Sequence, residues 1–176
     1  IWVLLLAPAL MGADPQWRDL PDADEDKPWV EEQVAFPVAP REENLIPLKL
    51  SATARNRFLV DALSVTLGGD SVLRYTMMVL TEGGARNVTY EGMRCETKEI
   101  RLYGFGRTDG TWSKARHSEW LPLREDSRNP YQEVLYRDFL CPNRLAAASA
   151  EHVVARLRRC VNATVVDREC YRAYRD

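Results

Sequence analysis

Apolar residues along this chain keep three different rhythms. Residues 1–13, IWVLLLAPALMGA, are uncharged throughout and end against Asp14. From about residue 46 to 115 apolar and polar positions alternate, the period of a strand with one buried face. Ile46, Leu48 and Leu50 alternate, Arg57–Val60 and Ser64–Leu67 are β-rich, and Leu73, Tyr75, Met77 and Val79 line one side of a strand over 72–80. Further strands are predicted over 87–95, over 99–105, where Ile100 and Leu102 oppose Arg101, Tyr103 and Phe105, and around Trp112. Gly68-Gly69-Asp70, Glu82-Gly83-Gly84 and Asp109-Gly110 separate these runs, which predicts antiparallel hairpins. Gly104 and Gly106 inside a strand predict a bulge or sharp bend, so the sheet is expected to curl.

After Pro122 the spacing becomes helical. Asn129-Pro130 reads as a cap followed by proline at the first helical position, and Tyr131, Leu135 and Phe139 recur four residues apart; a strand is the alternative for this short segment. Ser149 caps a clearer helix whose stripe is Ala150, Val153, Val154, Leu157 and Val161, with Arg156, Arg158 and Arg159 in its last turns, where cations complement the helix dipole. A weaker amphipathic segment covers 167–174. Strands first and helices last predict an α+β domain: a curled antiparallel sheet of five to six strands over about 46–115, packed by C-terminal helices.

The run 1–13 is too short to cross a bilayer, which takes about 20 residues. It reads as a truncated secretory signal peptide, with cleavage after Ala9, where Ala7-Pro8-Ala9 fits the small-x-small rule, or after Ala13. A buried N-terminal strand or helix is the competing reading. The first cysteine is Cys95, too far from either cut for a bacterial lipid anchor.

Charge divides the rest. Residues 14–45 hold ten acidic and three basic residues, a net of −7, with Pro15, Pro21, Pro28, Pro37 and Pro40 among them. The whole chain nets −2, so the remainder, 46–176, carries +5 and forms the single α+β domain. Acid and proline together predict an extended, solvated arm that Trp17, Trp29, Val34 and Phe36 can pin in places. The functional alternative is an arm that shields a basic face until a partner arrives. The near-zero net charge gives no polarity for nucleic acid.

Export makes the four cysteines readable as disulfides. Three connectivities exist and the sequence alone does not choose among them. Cys160 and Cys170 flank the turn-like VNATVVD, which leaves Cys95 with Cys141. In the chain-entropy model the long closure is worth about 4 kcal/mol and the short one a little under 3. Free buried thiols or a zinc site are the alternatives, but no CxxC occurs and neither His117 nor His152 stands at ligand spacing to a cysteine. No metal or other cofactor is expected.

The serine-hydrolase elbow, the P-loop, H-E-x-x-H and the calcium loop are all absent. His117 in WSKARHSEW sits beside Ser118 and Glu119, but neighbours on a strand point to opposite faces, a poor geometry for a triad. Asp138 beside Arg137 reads as a structural ion pair, and Glu91 and Glu99 as partners in cross-strand charge pairs. Arg156, Arg158, Arg159, Arg168, Arg172 and Arg175 make the C-terminus basic, at +3 over 137–176; a solvated helix face explains this, and contact with anionic lipid is the sharper reading.

The segments ENLIPL, NRFLVDALSV, RYTMMV, GGARNVTYEGMRC, LYGFGRTDGTW, SEWLPL and YRDFLCPN follow one another as in the cryptic neisserial protein one-like (CNP-one-like) family of Gram-negative bacteria. The resemblance runs from about Trp29 to Asn143, leaving 144–176 as a helical extension. It implies a bacterial exported domain in which Cys95 and Cys141 belong to the core motif, and it supplies no catalytic residue, substrate or cofactor.

These observations lead to one expectation and two rivals. The expectation is a periplasmic, non-catalytic binding or envelope assembly-support module. Its contact surface is the sheet near Arg94, Arg101, Trp112 and Trp120, or the helix carrying Tyr136 and Arg137, and its partner an envelope protein or polymer. The rivals are an envelope-polymer hydrolase built on His117 or a body carboxylate, and a peripheral lipid-surface protein using the arginine-rich C-terminus. Oligomeric state is not legible.

Overall fold

A computed structural model describes residues 28–51, 53–124, 129–163, 167, 170 and 171. The apolar run 1–13, Trp17, all the acidic residues before 28 and most of the segment 167–174 lie outside the described residues. The chain divides into two compact units, residues 1–30 and 31–176. Of the first, only residues 28–30 are described, without regular structure.

The second unit is an antiparallel meander with a helical layer. Its strands are β1 (Leu45–Leu48), β2 (Arg57–Leu67), β3 (Val72–Leu80), β4 (Arg86–Arg94), β5 (Glu99–Gly106), β6 (Trp112–Lys114) and β7 (Leu121–Pro122). They lie in the order β1-β2-β3-β4-β5-β6, with β7 also on β5, and the sheet stays open. The expected five to six strands become seven because the two-residue β7 pairs through Leu121 and Pro122 with Ile100 and Glu99, too short to leave a pattern in the sequence.

Two irregularities shape the sheet. The β-rich runs 57–60 and 64–67 are one strand, bulged between Asp61 and Thr66 so that Leu63 points to solvent. Ser64 repairs the ladder there: its Oγ donates to the Asp61 carbonyl (2.8 Å) and accepts from the Thr76 N–H (2.8 Å). The second lies where Tyr90 pairs with Gly104 but Glu91 with Leu102, leaving Tyr103 extra, beside the glycine whose place in the strand predicted it.

One face of the sheet carries the main core. Ile46, Leu48, Phe58, Val60, Leu73, Tyr75, Met77 and Met93 meet the helices there. The first helix, α1 (Pro130–Val134), starts on its proline and runs into a π-helical turn over Leu135–Leu140; Tyr131, Leu135 and Phe139 are all buried. The second, α2 (Ala150–Arg159), is capped by Ser149, whose Oγ accepts from the His152 N–H (3.3 Å). Disulfides join Cys95 to Cys141, stapling the end of β4 to the helical layer, and Cys160 to Cys170 beyond α2.

Glu91 is 2% exposed and faces this layer. Its carboxylate accepts from Tyr75 OH (2.9 Å) on β3, Thr89 Oγ1 (2.7 Å) on β4, and Tyr131 OH (2.5 Å) and Gln132 Nε2 (3.1 Å) on α1. Burial, and then the Glu91 charge, push both tyrosine hydroxyls well above their usual range, so they remain donors. The expected cross-strand charge pair holds for Glu99, which takes Arg94 at 2.9 Å, but not for Glu91, because Glu91 points into the core.

Removing this acceptor takes a hydrogen bond from three donors on other segments, two of them buried tyrosine hydroxyls, at about 1–3 kcal/mol for each buried donor left unsatisfied. Glu91→Ala is therefore expected to lower the unfolding free energy in urea by about 3 kcal/mol or more, while Glu99→Ala changes it by less than about 1. A loss below about 1 kcal/mol for Glu91→Ala contradicts the assignment.

Candidate ligand-binding face

The opposite face of the sheet is polar and aromatic where the first is apolar. Alternation along β3 sends Arg74 and Thr76 to this side, and Tyr90, Tyr103 and Trp112 join them from β4, β5 and β6. Arg74 is 5% exposed, so a cation has been drawn into the protein. Asp70 meets it through two parallel hydrogen bonds, Nη1 to Oδ1 (3.1 Å) and Nη2 to Oδ2 (2.5 Å). Its guanidinium lies 5.8 Å from the Tyr103 ring centre, and that of Arg101 5.4 Å from the same ring.

Residues 31–37 cross this face without regular structure. The expected arm is pinned rather than solvated at Glu31 and Phe36, Phe36 being one of the expected pins, because the face beneath offers two cations and the Trp112 ring. The Glu31 carboxylate forms an ion pair with Arg101, accepts from Tyr103 OH (2.6 Å) and Trp120 Nε1 (3.3 Å), and lies 3.7 Å from Arg74 Nη2. The Glu32 N–H donates to Asp70 Oδ2 (2.9 Å), and its carboxylate accepts from the Gly69 N–H (2.9 Å). Five residues beyond Glu31, the Phe36 ring stacks on Trp112 with centres 5.4 Å apart and planes within 7°. Trp112 Nε1 donates to the Pro37 carbonyl (2.8 Å).

Gly104 makes room for this seat. A Cβ there would stand 2.6 Å from the Ser113 carbonyl oxygen and 2.7 Å from Phe36 Cε1, so a larger residue would push the ring away. An open pocket of about 340 Å³ remains beside the segment, lined by Glu31, Val34, Phe36, Arg101, Lys114 and Ser118.

The structure thus gathers Arg101, Trp112 and Trp120 around one segment. Arg94 extends the patch, its guanidinium 5.8 Å from the Trp120 ring centre. Tyr136 and Arg137 are not part of it. Tyr136 is 7% exposed in the helical layer and donates to the Cys95 carbonyl (3.2 Å), and Arg137 pairs with Asp138 at 2.9 Å. Arg74 was missed among the sequence candidates, although an arginine inside the apolar run of RYTMMV signals a buried cation in need of a partner.

A second cavity, of about 310 Å³, has Glu91, His117, Glu119 and Gln132 in its wall. His117 is exposed and makes no hydrogen bond among the described residues, and Glu91 already accepts four. Arg156 turns inward, its Nε donating to the Asp138 carbonyl (2.6 Å). Among the described residues no group of three or more His, Cys, Asp or Glu could hold a metal ion, and no helix is long and apolar enough to cross a membrane.

A family model for the CNP1-like family matches residues 24–158, which takes in the arm segment, the whole sheet and most of α2. The chain belongs to the CNP1-like family. It is similar to the cryptic neisserial protein 1 of Neisseria gonorrhoeae (strain ATCC 700825 / FA 1090), at 27% identity over a 99-residue alignment that covers 47% of each protein. This CNP1-like chain therefore matches about half the length of that relative. No solved structure matches it.

The Asp70 carboxylate, which holds both Arg74 and the Glu32 N–H, makes the docking of this segment pH-sensitive. Burial pushes the Asp70 carboxyl up, but hydrogen bonds from Arg74 and from the N–H groups of Glu32 and Val72 outweigh it and hold the carboxyl below its ordinary 3.8. A depressed carboxyl contributes stability above its unfolded value and loses it as pH falls through the folded one. Burial holds Asp61 above 3.8, so that group works in the opposite direction. The stability difference between wild type and Asp70→Asn isolates Asp70: it is expected to be fully present near neutrality and to shrink in acid as pH falls below the ordinary 3.8 through the lower folded value. A difference that grows in acid contradicts the assignment.

Proposed function

We propose that this CNP1-like protein is an exported, non-catalytic binding module of the bacterial envelope, and that its contact surface is the basic and aromatic face bearing Arg74, Arg101, Trp112 and Trp120. The observation that carries the reading is the Arg101–Glu31 contact: two arginines, Tyr103 and Trp120 already surround a carboxylate carried by an irregular segment, and Trp112 stacks on Phe36 of the same segment. Groups so arranged bind and orient an anion. None of these groups is a poised base: burial raises the Tyr103 hydroxyl far above its usual range, and the Ser118 hydroxyl donates to the Leu102 carbonyl and accepts from Arg101. Two disulfides fit an oxidising compartment, and the uncharged run 1–13 fits an export signal, which together support the periplasm.

The test is photocrosslinking in cells from positions on and off this face. A benzoyl-phenylalanine at Lys114, on the rim of the cavity, is expected to give a discrete envelope adduct that Arg101→Ala abolishes. The same probe at Arg158, exposed on α2, gives none that depends on Arg101. Adducts from Lys114 that ignore Arg101→Ala contradict the proposal, and so does an Arg101-dependent adduct formed only from α2.

A further inference from the structure

The segment over 31–37 has the features of a bound peptide rather than of an element of the fold. It forms no strand with the sheet, and it holds on through a few anchors: the Glu31 carboxylate, Glu32, the Phe36 ring and the Pro37 carbonyl. Beyond it the chain leaves the face at Val38, which is 78% exposed, and passes Pro40 before the short 3-10 turn Glu42–Asn44 that leads into β1. The fit is also incomplete. The open pocket of about 340 Å³ lies alongside the segment, and Lys114 on its wall forms no ion pair among the described residues.

We infer that the residues 31–37 are an intramolecular stand-in for the true ligand. That ligand is an extended segment of a partner protein bearing a carboxylate for Arg101, an aromatic ring about five residues further on for Trp112, and a further acidic group between them for Lys114. This rests on the binding-face reading above and names the chemistry that face selects. Arg101 and Arg74 choose the carboxylate by charge, the flat ring of Trp112 chooses the aromatic by stacking, and the glycine at 104 leaves depth for that ring and for little else. The arm competes for the same groups. A tether this short holds it at an effective concentration of about millimolar, so it screens the face from weak partners and yields to better ones. The full-length protein is therefore a gated receptor whose free affinity is reduced by the fraction of time the arm is undocked.

The test uses the full chain and a synthetic peptide of residues 31–37, EEQVAFP, read by fluorescence anisotropy. Glu31→Ala with Phe36→Ala in the same chain weakens the arm and leaves the acceptor groups intact; a cooperative melt and both disulfides confirm that it is folded. The peptide is expected to bind this variant at least tenfold more tightly than it binds wild type, and to lose at least tenfold when Arg101→Ala is added or when the peptide carries alanine in place of its first acid or its phenylalanine. As a readout that does not need the variant, excess peptide added to wild type is expected to speed exchange of the Glu32 amide as the arm is displaced. Absence of binding to the folded variant overturns the inference, as does binding indifferent to Arg101→Ala. A wild-type dimer that peptide dissociates would assign the groove to the arm of a second copy and also overturn it. If the photocrosslink from Lys114 still depends on Arg101 while the peptide fails, the binding-face reading survives and only the ligand chemistry falls.

Discussion

A carboxylate lodged between Arg101 and Arg74 is the contact on which this face of the protein depends. Without Glu31, two cations would sit beside the Tyr103 ring, one of them almost fully withdrawn from water with Asp70 as its remaining carboxylate. A charge in such a place needs partners and hydrogen bonds to be tolerated at all. The acid supplies them, and by doing so it brings the chain that carries it across the sheet. Phe36 then stacks on Trp112, and the small apolar cluster of Leu59, Met78 and Val88 beneath is closed off at its Trp112 edge.

The two faces of the sheet are covered by different physics. On one, helices are held by a disulfide, by a large apolar core and by the saturated Glu91 network, all of which are costly to break. On the other, a strip of irregular chain is held by a few polar and aromatic anchors. Contacts that sparse open at a small fraction of the global unfolding free energy. The first face accordingly maintains the fold and the second is free to exchange its cover.

Much of the fold was legible because its signals are local. Period-two alternation marked β3, glycine turns marked the hairpins, and Ser149 announced α2 four residues before its first fully buried side chain, Val153. Spacing alone left the cysteine connectivity open, and the pairing Cys95–Cys141 with Cys160–Cys170 is what the structure holds. What was illegible depends on distant partners. Glu91 looks like any strand carboxylate until Tyr131 and Gln132 arrive from 40 residues away, and the bulge at 62–65 has no glycine or proline to mark it. Of the site, Arg101, Trp112 and Trp120 could be named from residue type, but the group that unites them is an acid from the arm, 70 residues before Arg101, where the sequence offered Val34 and Phe36 as pins and a shielding arm as an alternative but singled out no carboxylate.

The most direct measurement of this account is a charge exchange across the central contact. Amide hydrogen exchange at Glu32 and Gly69, the two N–H groups fixed by the docked arm, is compared in wild type, Glu31→Arg, Arg101→Glu and the double exchange. The account predicts that each single reversal speeds exchange at both amides at least tenfold and that the double exchange is slower than either single, since opposite charges again face each other across 31 and 101, but faster than wild type, since Arg74 stays beside position 31. Double-mutant exchange as fast as that of the singles, or singles indistinguishable from wild type, would contradict the claim that Glu31 holds the arm on the basic face.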